Sequence, residues 1–154
     1  KVERRYYRLH QLKEQKSTSG SHGQVTKIIQ EKYRRELLQN LDTVKSGDLL
    51  EVELSIISKN DYEYLLFEDY KPAGCETLAL VSGYVNDGFW AYRELRNDRV
   101  AFFIKNLLRG KHNLRYRTRA EIPGKFSALP TQVHAMYAPE IRANSDEIKI
   151  KVVE

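Results

Sequence analysis

From Gly47 onward apolar and polar residues alternate with a period of two, the spacing that sends successive side chains to opposite faces of a strand. Leu50, Val52, Leu54 and Ile56 take one face while Glu51, Glu53 and Ser55 take the other, which predicts a strand in a half-buried antiparallel sheet. Asn60-Asp61 turns the chain into a second run, 62–69. "YKPAG" ends that run, because Pro72 cannot donate to a ladder and Gly74 is free to take positive φ. Further runs cover 77–84, 89–95 after the Asn86-Asp87-Gly88 turn, and 100–104 after Asn97-Asp98.

The clearest alternation follows Gly110, with Leu114, Tyr116, Thr118 and Ala120 on one face and Asn113, Arg115, Arg117 and Arg119 on the other. Pro123-Gly124 closes it. Runs at 131–137 and 147–153, the latter with Ile148, Ile150 and Val152 inward, join "VERRYYRL" at the start to give about nine short strands. Strands at this spacing, without interleaved long helices, predict an all-β fold, a two-sheet antiparallel β-sandwich.

Residues 10–41 depart from the pattern. "KSTSGSHG" reads as a mobile loop, and the segment 10–41 as an insertion. Residues 25–41 carry Glu, Lys, Leu and Gln, so a short helix competes there with a strand through Tyr33 to Leu38.

At 154 residues the chain is the size of one domain, able to bury a core of its own. No stretch approaches the roughly 18 apolar residues that cross a bilayer as a helix. The start at Lys1, with no charged and apolar leader pattern, suggests a piece of a longer protein. One Cys excludes an internal disulfide. The net charge of +5 is a modest excess with both signs interspersed, so composition does not point to nucleic acid.

No nucleophile elbow, phosphate-cradling Gly-rich loop or His-Glu-x-x-His is present. His10, His22, His112 and His134 lack ligand spacing and read as surface or turn residues, so no metal or other cofactor is expected. The carboxylate pairs Asp87 with Glu94 and Glu68 with Asp69 read as solvated strand ends. Arg115, Arg117 and Arg119 form the best basic patch, either a solvated face or a seat for an acidic partner. Cys75 follows a Pro-Gly turn and precedes Glu76, whose charge disfavours a thiolate, so it reads as a buried structural Cys.

Three segments carry a resemblance: the Tyr-Glu-Tyr strand with its Pro-Ala-Gly turn, "RAEIPGKF", and Met136-Tyr137-Ala138-Pro139-Glu140. From about Val44 to Val152 the chain resembles the C-terminal macroglobulin-like domain of bacterial alpha-2-macroglobulins. That resemblance implies a non-catalytic β-sandwich within a larger protease-entrapping protein of the periplasm or cell surface. Such a protein bonds covalently to its attacker through a thioester formed in another domain from a Cys-x-x-Gln motif. Cys75 is followed by Glu76, Thr77 and Leu78, so it is not that thioester.

The resemblance further implies that Met136 to Glu140 contact the thioester domain, with the Met136-Tyr137 pair as an apolar cap. Partners would be that domain in the same parent chain and, through the parent, target proteases. Local alternation by itself puts Val133, Ala135 and Tyr137 in the core and leaves Met136 outward. Two other functions stay open: an immunoglobulin-like adhesion or carbohydrate module using exposed Trp90 and Tyr92, and polyanion binding through the arginine stripe.

Overall fold

A computed structural model describes residues 1–19, 25–79 and 81–154, with side chains outside 13–31. The strands in chain order are β1 (Val2–Ser19), β2 (Val25–Leu38), β3 (Thr43–Lys45), β4 (Leu49–Ser58), β5 (Tyr62–Tyr70), β6 (Cys75–Thr77) and β7 (Gly83–Asn86). They continue as β8 (Trp90–Leu95), β9 (Arg99–Leu107), β10 (Gly110–Ala120), β11 (Gly124–Ala128), β12 (Gln132–Ala135), β13 (Ala138–Asn144) and β14 (Ile148–Val153). No helix occurs among the described residues.

These strands form a five-stranded sheet ordered β2-β1-β4-β10-β6 and a six-stranded sheet ordered β13-β12-β5-β9-β8-β7. A three-stranded sheet, β11-β14-β3, is additional to the two expected, and β14 and β3 pair parallel in it. The alternation explains the core. Leu50, Val52 and Leu54 of β4 and Leu114 and Tyr116 of β10 are buried in one cluster with Leu65 and Phe67 of β5 and Val100, Phe102 and Ile104 of β9. The Tyr116 and Phe102 rings lie 6.2 Å apart. Val44, Ile150 and Val152 of the small sheet complete the cluster.

Four expectations need correction. Residues 25–38 form no helix: they pair antiparallel with β1 from Tyr6↔Leu38 to Ser19↔Val25, so long-range pairing overrides local helix propensity. The loop expected at "KSTSGSHG" is strand through Ser19, and residues 20–24, His22 among them, lie outside the described residues. The strand expected at 77–84 is not continuous: Thr77 ends β6, and Gly83 opens β7. Gly74 does not take positive φ; it is required because the Phe126 ring occupies the place of a Cβ, only 2.3 Å from where one would sit.

A buried ion pair ties the layers together. The Arg4 side chain, 1% exposed, meets the fully buried Asp69 carboxylate at 2.7 Å. Arg4 also donates to the carbonyls of Ala128 and Leu129, each at 2.7 Å, and to Asp146 O at 3.2 Å. Asp69 accepts hydrogen bonds from the Tyr116 hydroxyl and from Thr131 Oγ1. Asp69 is thus no solvated strand end, and through Thr131 it fixes the residue that leads into β12.

Candidate functional site

Met136 and Tyr137 are the two turn residues of a hairpin between β12 and β13. β13 was not expected from the sequence, because "APEIRAN" lacks alternation and contains Pro139. The pairing steps from His134↔Arg142 directly to Ala135↔Ala138, so Pro139, Glu140 and Ile141 have no partner on β12. A proline cannot donate to the ladder, and the bulge falls where it stands. Neither turn residue has positive φ, so this turn does not match strand twist as the primed types do. The register shift accommodates the mismatch.

The tip projects. Tyr137 is 80% exposed and Met136 41%, which corrects the placing of Tyr137 in the core by alternation. Ala138 packs against the core, whereas Pro139 and Glu140 are exposed. Tyr64 of β5 braces the tip from below: its carbonyl accepts the Met136 N–H at 2.8 Å, and its ring meets that of Tyr137 edge-on at 5.2 Å. Tyr64 has φ +54°, a left-handed conformation that costs a bulky residue on the order of 1–3 kcal/mol. That strain turns both Glu63 and Tyr64 outward, breaking the alternation of β5 under the tip.

The same outer face is rich in aromatic rings. Tyr64, Tyr84, Phe89, Trp90, Tyr92, Phe103 and Met136 line one groove of about 660 Å³. Tyr84 and Tyr92 pair edge-on at 5.2 Å, Tyr92 and Phe103 lie 6.5 Å apart, and Phe89 packs on His112 at 5.2 Å. The Asn86-Asp87-Gly88 turn sets up this end, with Gly88 at φ +89° and its N–H donated to Asn86 Oδ1. Trp90 is 65% exposed beside these rings.

The outer face of the five-stranded sheet is different. Arg115 meets Glu53 at 2.8 Å and Arg117 approaches Glu51 at 3.7 Å. Arg35 reaches over the Tyr7 ring, 3.8 Å from its centroid, to hold Glu51 and Glu53 at 2.9 Å each. Burial works to raise the Glu53 carboxyl, but hydrogen bonds and charge from Arg115 and Arg35 outweigh it and hold the group below the usual carboxylate range. Two arginines of the predicted basic stripe are therefore neutralised by the neighbouring strand. Arg119 shares their face and makes no ion pair among the described residues.

The remaining candidates do not converge. Cys75 is buried, and desolvation pushes its thiol up to about 12, so it is protonated and inert at neutral pH. His10 contacts Glu36 at 2.5 Å, while His112 contacts the Leu108 carbonyl at 2.7 Å. Glu68 pairs with Arg99, Glu94 with Arg96, and Asp87 accepts the Arg115 N–H. No cluster of three potential metal ligands occurs among the described residues.

A family model described as the MG10 domain of bacterial alpha-2-macroglobulin matches residues 1–140. An alpha-2-macroglobulin homolog from Nostoc is 29% identical over 120 residues, covering 73% of this chain and 6% of that protein. Alpha-2-macroglobulin from Thermotoga maritima is 29% identical over 116 residues, covering 67% and 7%. The chain thus spans less than a tenth of the length of these relatives. Among solved structures, Salmonella alpha-2-macroglobulin reacted with methylamine superposes with a TM-score of 0.66 at 23% identity, over 99% of this chain and 9% of that one. The structural likeness supports the macroglobulin fold, and the sequence match extends over nearly the whole chain. The chain therefore belongs to the family of MG10 domains of bacterial alpha-2-macroglobulins.

Proposed function

We propose that this chain is a non-catalytic domain of a bacterial alpha-2-macroglobulin-like protease inhibitor, located in the periplasm or at the cell surface, and that its β12–β13 tip shields the thioester of a neighbouring domain. The observation that carries this reading is the exposed Met136-Tyr137 pair, held forward on a two-residue turn and braced by Tyr64. A thioester lasts only while water and amines are excluded. Tyr137 offers a rigid ring for that purpose and Met136 a soft side chain that fills irregular gaps. Burying both would contribute roughly 3 to 6 kcal/mol before ordering costs, enough to hold a lid yet open to displacement when a protease cut rearranges the parent. Ala138, Pro139 and Glu140 would flank the contact.

In the intact parent protein, Met136→Ala with Tyr137→Ala is expected to speed methylamine incorporation and free-thiol release severalfold before any protease is added. Unchanged rates for both would refute the shield.

One observation favours a second reading: Trp90 stands exposed among other rings, as a carbohydrate platform requires. Quenching of this single tryptophan by soluble oligosaccharides, saturable and lost in Trp90→Ala, would support it.

A further inference from the structure

The two large sheets do not close on each other at every point. Where β4 ends and β1 begins on one side, and β12 and β13 run on the other, a cleft of about 350 Å³ opens into the core. It is lined by Ile56, Leu65, Phe67, Leu107 and Val133, all buried members of the main cluster. Two exposed isoleucines join this lining, one from each sheet: Ile57 of β4 is 39% exposed and Ile141 of β13 41%. Ile141 falls in the bulge of β13 and has no partner on β12, so the ladder leaves it free to stand there. The cleft shares no residue with the aromatic groove beside the tip, and nothing in it depends on the proposed shield.

The charge around the cleft has one sign. Lys59, just after β4, and Arg142 of β13 belong to opposite walls; both are exposed, and neither makes an ion pair among the described residues. Lys1 also lines the cleft, but Glu3 meets its ammonium at 2.5 Å. No carboxylate is part of the lining. The neutral polar groups are tied to one another: Ser58 Oγ donates to the Asn60 carbonyl, and Asn60 Nδ2 donates to the Tyr62 hydroxyl. Recognition therefore falls to the apolar walls and the two cations.

We propose that this cleft binds a long-chain fatty acid, with its alkyl chain between the sheets and its carboxylate at the rim beside Lys59 and Arg142. An apolar pocket of a few hundred Å³ with few placed polar groups is the ordinary form of a small-ligand site. The alkyl chain needs only walls that exclude water, which the core residues supply. The carboxylate stays near solvent, where it accepts charge-assisted hydrogen bonds rather than losing its hydration without compensation. A cationic amphiphile of the same length would meet like charge.

Calorimetric titration of the intact parent protein with sodium decanoate, below its micelle concentration, tests the site. The expected result is saturable binding, severalfold tighter than that of decanol and absent for butyrate, whose chain is too short to reach Phe67 and Leu107. Ile141→Glu, at an exposed position that pairs with nothing on β12, should abolish binding by placing a carboxylate at the cleft. Lys59→Gln with Arg142→Gln should weaken decanoate severalfold while leaving decanol unchanged, a split that loss of folding would not produce. No binding of decanoate, equal binding of decanoate and decanol, or failure of either variant to weaken decanoate would overturn the proposal.

Discussion

The outer faces of the two large sheets solve the same problem in opposite ways. On the five-stranded sheet, Glu51 and Glu53 of the central strand lie under arginines from β2 and β10, so both carboxylates find partners within the domain. On the six-stranded sheet, Tyr84, Trp90 and Tyr137 extend into solvent, uncovered by any other described residue. Paired carboxylates already have their partners, whereas exposed large rings leave burial energy for an outside surface. The contact proposed for the Met136-Tyr137 tip lies on the second of these faces.

The core beneath both faces sets the scale for breaking this contrast. Removing Asp69 leaves Arg4 charged and buried without its partner, so Asp69→Ala is expected to cost roughly 3–5 kcal/mol. A urea unfolding midpoint checks this, and a loss below about 1 kcal/mol would show the hub to be dispensable.

Glu53→Ala removes the acceptor of two arginines that are more than a third exposed and can return to water, so the loss should be only about 1 kcal/mol. The same carboxylate sets a pH dependence. Its folded pKa is depressed, so its contribution is complete above the ordinary value of 4.5 and disappears as pH falls through the lower folded value. Urea titrations on acidification should therefore show the wild type losing more stability than Glu53→Gln over that range.

Smallest of all should be the effect of Trp90→Ser with Tyr84→Ser on the isolated chain, within about 0.5 kcal/mol by the same urea assay. A marked loss there would mean that the rings serve the domain's own fold, and the contrast between the faces would vanish.

Much of the fold is legible in alternation, because a strand with one buried face must repeat every two residues. β4, β10 and β14 place their apolar sets inward as their spacing predicts. The same parity pointed to the buried hub: Arg4 falls between Val2 and Tyr6 on the inward face of β1, and Asp69 follows Leu65 and Phe67 on that of β5. Charge at both positions disguised them as surface.

Other features depend on pairing that no local window contains. β2 carries helix-forming residues and becomes a strand only beside β1. The arginine stripe looks free until the register sets Arg115 opposite Glu53 and Arg117 opposite Glu51. Met136 and Tyr137 could be singled out from the sequence, but their brace could not, since nothing local predicts a left-handed tyrosine at Tyr64.

Hydroxyl-radical footprinting, comparing this chain alone with the intact parent, tests the contrast between the two faces most directly. In the parent, oxidation of Met136, Tyr137, Trp90 and Tyr84 should fall severalfold relative to the isolated chain, while Tyr7 on the opposite face stays unchanged. Equal oxidation of the four residues in both forms would contradict the assignment of the aromatic face and its tip as the meeting surface.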